Sequence, residues 1–322
     1  MRPAELDAIV IGGGPAGLAA ATWLGRYRRR TLVVDAGEHR NKLVERTHGY
    51  LTRDGSRPRE LLDAARADLR RYPDVTIVDG EVTAVEGSIG AFCVTLRDGG
   101  VHRALRLVLA TGVVDELPQV DGAIEHYGHS LFHCPSCDGF EGRDRDVVVL
   151  GWSEHVAGFS LTLLDWSRSI TLVTDGHRFE GDDDHRAVLA RHGIDVIEAP
   201  AIAFVGTRGA LTGVQLGGGR ELPCQLAFFS IAHHPRNQLA VGLGCELTPE
   251  GCVRVDEHGE TTVPGVYAAG DLVPGYQLVQ VAAAKGTTAG VGCAVSLREE
   301  PPLPGAPPRA PDVEAEVSTT PR

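Results

Sequence analysis

Residues 132–140 read Phe-His-Cys-Pro-Ser-Cys-Asp-Gly-Phe, placing the thiols of Cys134 and Cys137 three positions apart and the carboxyl of Asp138 directly after the second. Two intervening residues let both sulfurs sit at a helix start, where the N-terminal dipole stabilises a thiolate and lowers its pKa. The thiolate is the attacking species in disulfide exchange, so such a pair suits the trading of electrons with another disulfide. Three chemistries share this pattern: a redox pair, half of a zinc site, and a bridge that holds a loop. Zinc needs four ligands, usually a second CxxC or paired histidines. His126, His129 and His133 lie close by in the chain, but no second cysteine pair complements them. A purely structural bridge is disfavoured in a reducing compartment. The three histidines then read as polar loop residues, with His133 placed to tune the neighbouring thiolate.

A redox pair needs an electron carrier beside it, and residues 7–37 have the layout of a dinucleotide-binding βαβ unit. A buried strand, Asp7–Ile11, runs into Gly12, Gly14 and Gly17. An alanine-rich helix opening at Pro15 and Ala16 follows to about Tyr27, and a second strand, Thr31–Val34, ends in Asp35. Gly12 permits the tight turn, Gly14 lets a pyrophosphate approach the backbone, and Gly17 lets helix and strand pack closely. The pyrophosphate would rest on the helix N-terminus. Asp35 stands 18 residues after Gly17, about where an acid accepts hydrogen bonds from a ribose diol. The glycines alone are weak evidence; strand, helix, second strand and terminal acid together predict the unit.

Farther on, the pattern predicts a helix at Pro58–Arg71 and strands around 75–86, 91–97 and 103–109, the last ending in Ala-Thr-Gly (110–112). Near the other end, residues 266–271 (Val-Tyr-Ala-Ala-Gly-Asp) read as a strand closing on Gly270 and Asp271, with a small-residue helix over about 279–297. These late elements are expected to rejoin the first sheet, so that an insertion splits the first unit. The insertion holds a second βαβ-like stretch, 146–175, whose glycine pattern is broken: Gly151 is present, but Trp152, Ser153 and Val156 follow it. Residues 217–219 (Gly-Gly-Gly) read as a hairpin turn, and 301–322, with seven prolines, as a disordered tail.

The 322 residues suit about two domains. A net charge of −12 argues against nucleic acid as a partner, and no apolar run is long enough to span a membrane. Seven cysteines with a single close pair exclude a disulfide-dense secreted scaffold. No signal peptide is visible, because glycines and Pro15 break the apolar N-terminal stretch, so the expected location is the reducing cytoplasm.

The order of these features resembles the low-molecular-weight thioredoxin reductase family, FAD-dependent pyridine nucleotide-disulfide oxidoreductases, over roughly residues 5–298. The specific pieces are Gly12–Ala21, Ala110–Gly112, Cys134–Phe140 and Tyr267–Asp271. The resemblance implies an α/β fold of two Rossmann-like three-layer dinucleotide-binding domains, the second inserted into the first. The FAD domain would comprise 1–115 and 245–300, and the CxxC domain 116–244. It implies FAD in the first domain, with Asp35 on the adenosine ribose and Ala36, Gly37, Asn41 and Val82 near the AMP half. Thr111, Gly112 and Gly270 would line the cofactor, and Asp271 would lie near its ribityl and phosphate groups. Gln280 matches a flavin-proximal glutamine, although Val279 replaces the flanking arginine. By the same resemblance Cys137 is the sulfur beside the flavin, Cys134 attacks the substrate disulfide, and Asp138 is the acid–base group. The implied substrate is thioredoxin or a thioredoxin-like protein, and the implied assembly a homodimer.

The electron donor is where the chain departs from that family. An NADPH site needs a glycine-rich turn and arginines for the 2′-phosphate. Here bulk stands in the turn at Trp152, and the segment after the second strand, 174–184, carries Asp175, Glu180 and Asp182–Asp184 with Arg178 as the one arginine. A solvated acidic loop accounts for those carboxylates but still supplies no phosphate site. NAD(P)H is therefore doubtful; NADH remains conceivable if Asp175 held a ribose diol. Relatives with degenerate second units take electrons from ferredoxin or another reduced carrier. Others run in reverse, oxidising a small dithiol to a disulfide with oxygen as acceptor. Retention of Asp138 favours the reductase reading.

Overall fold

The computed structural model describes residues 6–298, so the tail read at 301–322 lies outside the described residues. Strand β1 (Leu6–Ile11) ends at Gly12, whose φ of +111° turns the chain across the strand ends. A Cβ at Gly12 would lie 2.3 Å from the Ala110 carbonyl oxygen, so no other residue fits. Helix α1 (Pro15–Arg26) starts on its proline, with Gly14 as an N-cap that offers no side chain to the free N–H groups. β2 (Thr31–Asp35) returns parallel to β1, pairing Ala8 with Thr31 and Ile11 with Val34.

Helix α2 (Pro58–Leu69) leads into β3 (Val75–Asp79), β4 (Val82–Glu86), β5 (Phe92–Leu96) and β6 (Val101–Leu109). The stretch expected to be strand over 75–86 divides at Gly80: β3 runs parallel to β2, whereas β4 pairs antiparallel with β5. The sheet order is β3-β2-β1-β6-β5-β4. In β1 and its neighbours both faces are buried. Ile9, Ile11, Leu32, Val34, Leu107 and Leu109 point one way, and Ala8, Val10, Val33 and Val108 the other, as parallel strands covered on both sides require.

β7 (Val113–Glu116) leaves this layer for a second one. There follow α3 (Ala123–His126), β8 (Leu131–Phe132), the single turn α4 (Pro135–Asp138), β9 (Asp146–Leu150), α5 (His155–Thr162), β10 (Ser169–Val173), α6 (Asp183–Arg191) and β11 (Asp195–Ile197). An antiparallel trio, β12 (Ala201–Thr207), β13 (Ala210–Leu216) and β14 (Glu221–Pro223), precedes β15 (Leu226–Phe229). Gly218 and Gly219, both at positive φ, turn the chain from β13 to β14. The second sheet is parallel throughout, in the order β11-β10-β9-β15-β8.

The chain returns along β16 (Ala232–Pro235), antiparallel to β7, so the outgoing and incoming connections form one ribbon. After α7 (Gln238–Leu243), β17 (Val266–Ala268) adds to the first sheet parallel to β6. Helix α8 (Val279–Ser296) then lies against α1, and glycine sets the spacing. A Cβ at Gly286 would fall 2.0 Å from the Ala16 carbonyl oxygen, and one at Gly290 2.6 Å from that of Ala20. No described helix is long and apolar enough to cross a membrane.

Candidate redox site

A cavity of about 1060 Å³ opens at the carboxyl ends of β1, β2 and β6, where parallel α/β sheets place their ligands. It exceeds the roughly 300–1,000 Å³ of most small-molecule sites, as an extended dinucleotide requires. Of the residues singled out in the sequence, Gly12, Gly14, Pro15, Ala16, Asp35, Ala36, Gly37, Asn41, Val82, Thr111, Gly112, Gly270 and Asp271 all line it. The glycine turn fits a pyrophosphate. A Cβ on Gly14 would meet nothing within 4 Å, so its backbone faces open space, and the α1 N-terminus is uncapped by any side chain. Asp35 accepts the Gly37 N–H at 3.0 Å and is ion-paired with Arg66. One buried oxygen of Asp271, Oδ1, has no partner among the described residues.

Two expected cofactor residues stand elsewhere. Gly17 lies behind the cavity: a Cβ there would be 1.8 Å from the Gly12 carbonyl oxygen, so its glycine serves helix–turn packing. Gln280 is turned away, its Oε1 accepting the Leu51 N–H at 3.0 Å. The first turn of α8 gives its inward positions to Val279 and Ala282 instead, because only one face of a helix can look into the cavity.

The redox turn reaches the same cavity. Cys134 and Cys137 form a disulfide with Cα atoms 5.2 Å apart, and Cys137 and Asp138 are cavity-lining while Cys134 is not. Cys134 caps the single turn α4, and the Cys137 N–H donates to its sulfur at 3.1 Å. Asp138 is 7% exposed; burial, with a lesser contribution from the Glu141 carboxylate, pushes its pKa up to about 7. A carboxyl held near neutrality can donate a proton and take it back at working pH.

The pattern of the chain did not disclose the polar network at the back of the cavity. Arg40, partly buried, donates from Nε to Asp115 (2.8 Å) and from Nη1 to Asp271 (3.1 Å) and Gln277 (2.7 Å). His133 Nδ1 meets the Tyr127 hydroxyl at 3.0 Å and its Nε2 lies 3.7 Å from Asp115. Burial lowers the His133 pKa to about 4, against the opposing pull of Asp115, so the ring is neutral. Gln277 continues the network to His233 at 3.0 Å. Arg236, from the segment His233–Asn237 that reads as a returning loop, also lines the cavity and donates to the Glu38 carbonyl at 2.7 Å. The other two histidines have separate partners. His126 is in the core, 2.7 Å from Ser130 Oγ, and His129 meets Arg208 at 2.8 Å.

The second βαβ stretch folds as a strand–helix–strand but fills its own turn. Trp152 stacks on His177 with ring centroids 4.0 Å apart and planes 23° from parallel. Asp175, the acid that would hold a ribose, sits at φ +53° and accepts the Ala201 N–H at 2.8 Å. Asp182 caps α6 through the His185 N–H.

Residues 6–286 match the model of the family described as pyridine nucleotide-disulphide oxidoreductase. The chain belongs to that family. This oxidoreductase is 31% identical to the thioredoxin reductase of Mycolicibacterium smegmatis over 313 residues, covering 91% of this chain and 95% of the relative. It is 38% identical to a "probable thioredoxin reductase" of Arthroderma benhamiae, but spans only 45% of that protein's length. A solved oxidoreductase from Agrobacterium tumefaciens superposes with a TM-score of 0.83 at 36% identity, over 91% of this chain and 98% of that one. The two-Rossmann arrangement is thus that of the thioredoxin reductases, and the cofactor of the enzyme is FAD. Held by the residues that line this cavity, FAD would supply a two-electron acceptor and donor.

Proposed function

We propose that this enzyme passes electrons through the Cys134–Cys137 pair to the disulfide of a thioredoxin-like protein, with a donor other than NADPH, such as ferredoxin. The observation that carries the reading is the single cavity lined both by the glycine turn Gly12–Ala16 and by Cys137 and Asp138. In the reduced state, the Cys134 thiolate attacks one sulfur of the partner disulfide. A mixed disulfide forms, and the partner's other sulfur leaves as a thiolate that takes a proton from Asp138. The Cys137 thiolate then attacks the Cys134 sulfur, which restores the internal disulfide and expels the partner's remaining sulfur as a thiolate; a proton from water completes the dithiol. In this reading the expected cofactor residues that line the cavity hold FAD, with 1–115 and 245–300 as its domain and 116–244 as the domain bearing the redox pair. The enzyme works as a homodimer in the cytoplasm, without membrane or nucleic acid.

The non-nucleotide donor is supported by the Trp152–His177 stack across the second glycine turn and by the use of Asp175 on the Ala201 N–H. A pyrophosphate needs open backbone at such a turn and a 2′-phosphate needs arginine forks. Anaerobic spectra of the holoenzyme, taken while NADPH, NADH, reduced ferredoxin and a small dithiol are added in turn, test the proposal. Reduced ferredoxin is expected to bleach the flavin and the nucleotides are not. Rapid bleaching by NADPH would make this a conventional NAD(P)H-dependent thioredoxin reductase and sink the donor assignment. Bleaching by the dithiol alone, with recovery in air, would mean a dithiol oxidase acting on a small molecule. Cys137→Ser should retain FAD and stop disulfide reduction.

A further inference from the structure

Asp138 is almost closed off from solvent, so a proton it gives up during exchange must be replaced by some route. Two residues outside the redox motif lie on one. Glu141 sits three positions on, in the turn that extends α4, where the Gly142 N–H donates to the carbonyls of Asp138 (3.3 Å) and Gly139 (3.0 Å). Residues three apart on such a turn share a face. Glu141 Oε2 is buried with no hydrogen-bond partner among the described residues, while Oε1 lies 3.5 Å from His48 Nδ1. His48, from the loop after β2, also lines the flavin cavity, and its Nδ1 is 3.7 Å from Asp54 Oδ1. The row starts at an almost closed carboxyl, 7% exposed at Asp138, passes the partly exposed side chains of Glu141 (39%) and His48 (22%), and ends in solvent at Asp54 (73%). A buried carboxylate oxygen without a partner is costly unless it is used.

We propose that Glu141 and His48 relay protons between Asp138 and solvent during disulfide exchange, a role that rests on reading Asp138 as the acid–base group. After Asp138 has protonated a leaving thiolate, Glu141 receives a proton from solvent through His48 and passes it to the Asp138 carboxylate. In the direction of dithiol oxidation the same proton travels outward. The titratable groups facing Asp138 are Glu141 on its own turn and Tyr127 from the segment before β8; those facing His48 are Glu141 and Asp54. Glu141 thereby sets the charge beside Asp138 as well as supplying its proton.

Stopped-flow reduction of the holoenzyme flavin by dithiothreitol, without oxygen and across neutral pH, tests this. The wild-type rate should turn over at a midpoint of about 7. In Glu141→Gln the midpoint should move to lower pH, because a neighbouring negative charge is gone. The limiting rate should fall on the order of tenfold, less than the roughly 10²–10⁴-fold a direct acid–base group contributes. His48→Gln should lose a similar factor while keeping its flavin spectrum; if Glu141→Gln fails to retain FAD, this variant decides. Limiting rates within about twofold of wild type in both variants would overturn the relay, even if the Glu141→Gln midpoint moved. Asp138→Asn separates the two readings. Loss of the midpoint in that variant supports the acid–base assignment on which the relay depends. Its survival there would overturn that assignment and the relay together.

Discussion

Asp138 and His133 flank the disulfide, and burial acts on them in opposite senses. The folded state keeps Asp138 protonated up to about pH 7 whereas the unfolded chain ionises it near 3.8, so stability is lost as pH rises through that window. Roughly three pKa units correspond to about 4 kcal/mol at ~1.36 kcal/mol per unit. His133 has its pKa lowered from 6.5 to about 4, so the unfolded chain takes up a proton that the folded one refuses, and stability is lost as pH falls through that window. That amounts to about 3 kcal/mol. The two slopes oppose each other where the windows overlap, and single variants should unmask them. Denaturation of Asp138→Asn should show stability rising between pH 4 and 6.5, and His133→Gln should show it falling over the same span. Equal slopes in both variants would contradict these burial effects. At this scale the proposed reactive residues were legible because Cys134, Cys137 and Asp138 are neighbours in the chain. Arg40 was not, since its partners Asp115 and Asp271 lie 75 and 231 residues away.

Among the elements, the first βαβ unit is readable because its defining constraints are local: the positive φ at Gly12 and the close approach of Gly17 to Gly12 both act within a dozen residues, although Gly12 also packs against the distant Ala110. The docking of α8 on α1 depends on the same residue type, yet its partners are far apart in sequence. Gly286→Ala should force the helices apart at Ala16, a residue lining the cavity. Overpacking of that kind costs roughly 1–3 kcal/mol. Thermal melting should show the loss, with weaker FAD retention; an unchanged melt and full flavin content would refute the packing account. The second unit shows the limit of pattern reading. Its broken glycine motif was visible, but which group fills the turn was not, because His177 comes to Trp152 only when the loop after β10 folds back across it.

For the whole molecule, the partly buried Arg40 guanidinium ties together the loop after β2, the ribbon strand β7 through Asp115 and the turn after β17 through Asp271. Removing one member of a partly buried ionic cluster leaves poorly compensated charge, at a cost of roughly 1–3 kcal/mol, between the values for exposed and buried pairs. Arg40→Met should therefore lower urea stability by that order, and adding Asp115→Asn should recover part of it. If the double variant were no more stable than the single one, the ionic network would not be what joins these segments.

The sequence by itself determined the chemistry that depends on near neighbours: the thiol pair with its acid, the glycine turn for a dinucleotide, and the degraded second turn. Short-range sterics and hydrogen bonding impose those residue types wherever the chain goes. Only the tertiary structure decided that Cys137 and Asp138 open onto the cavity of the first unit, that Gln280 turns away from it, and that Arg40 and His48 line the cavity onto which the redox turn opens. Those relations depend on how separate layers pack, and packing joins residues whose spacing along the chain carries no signal of their contact.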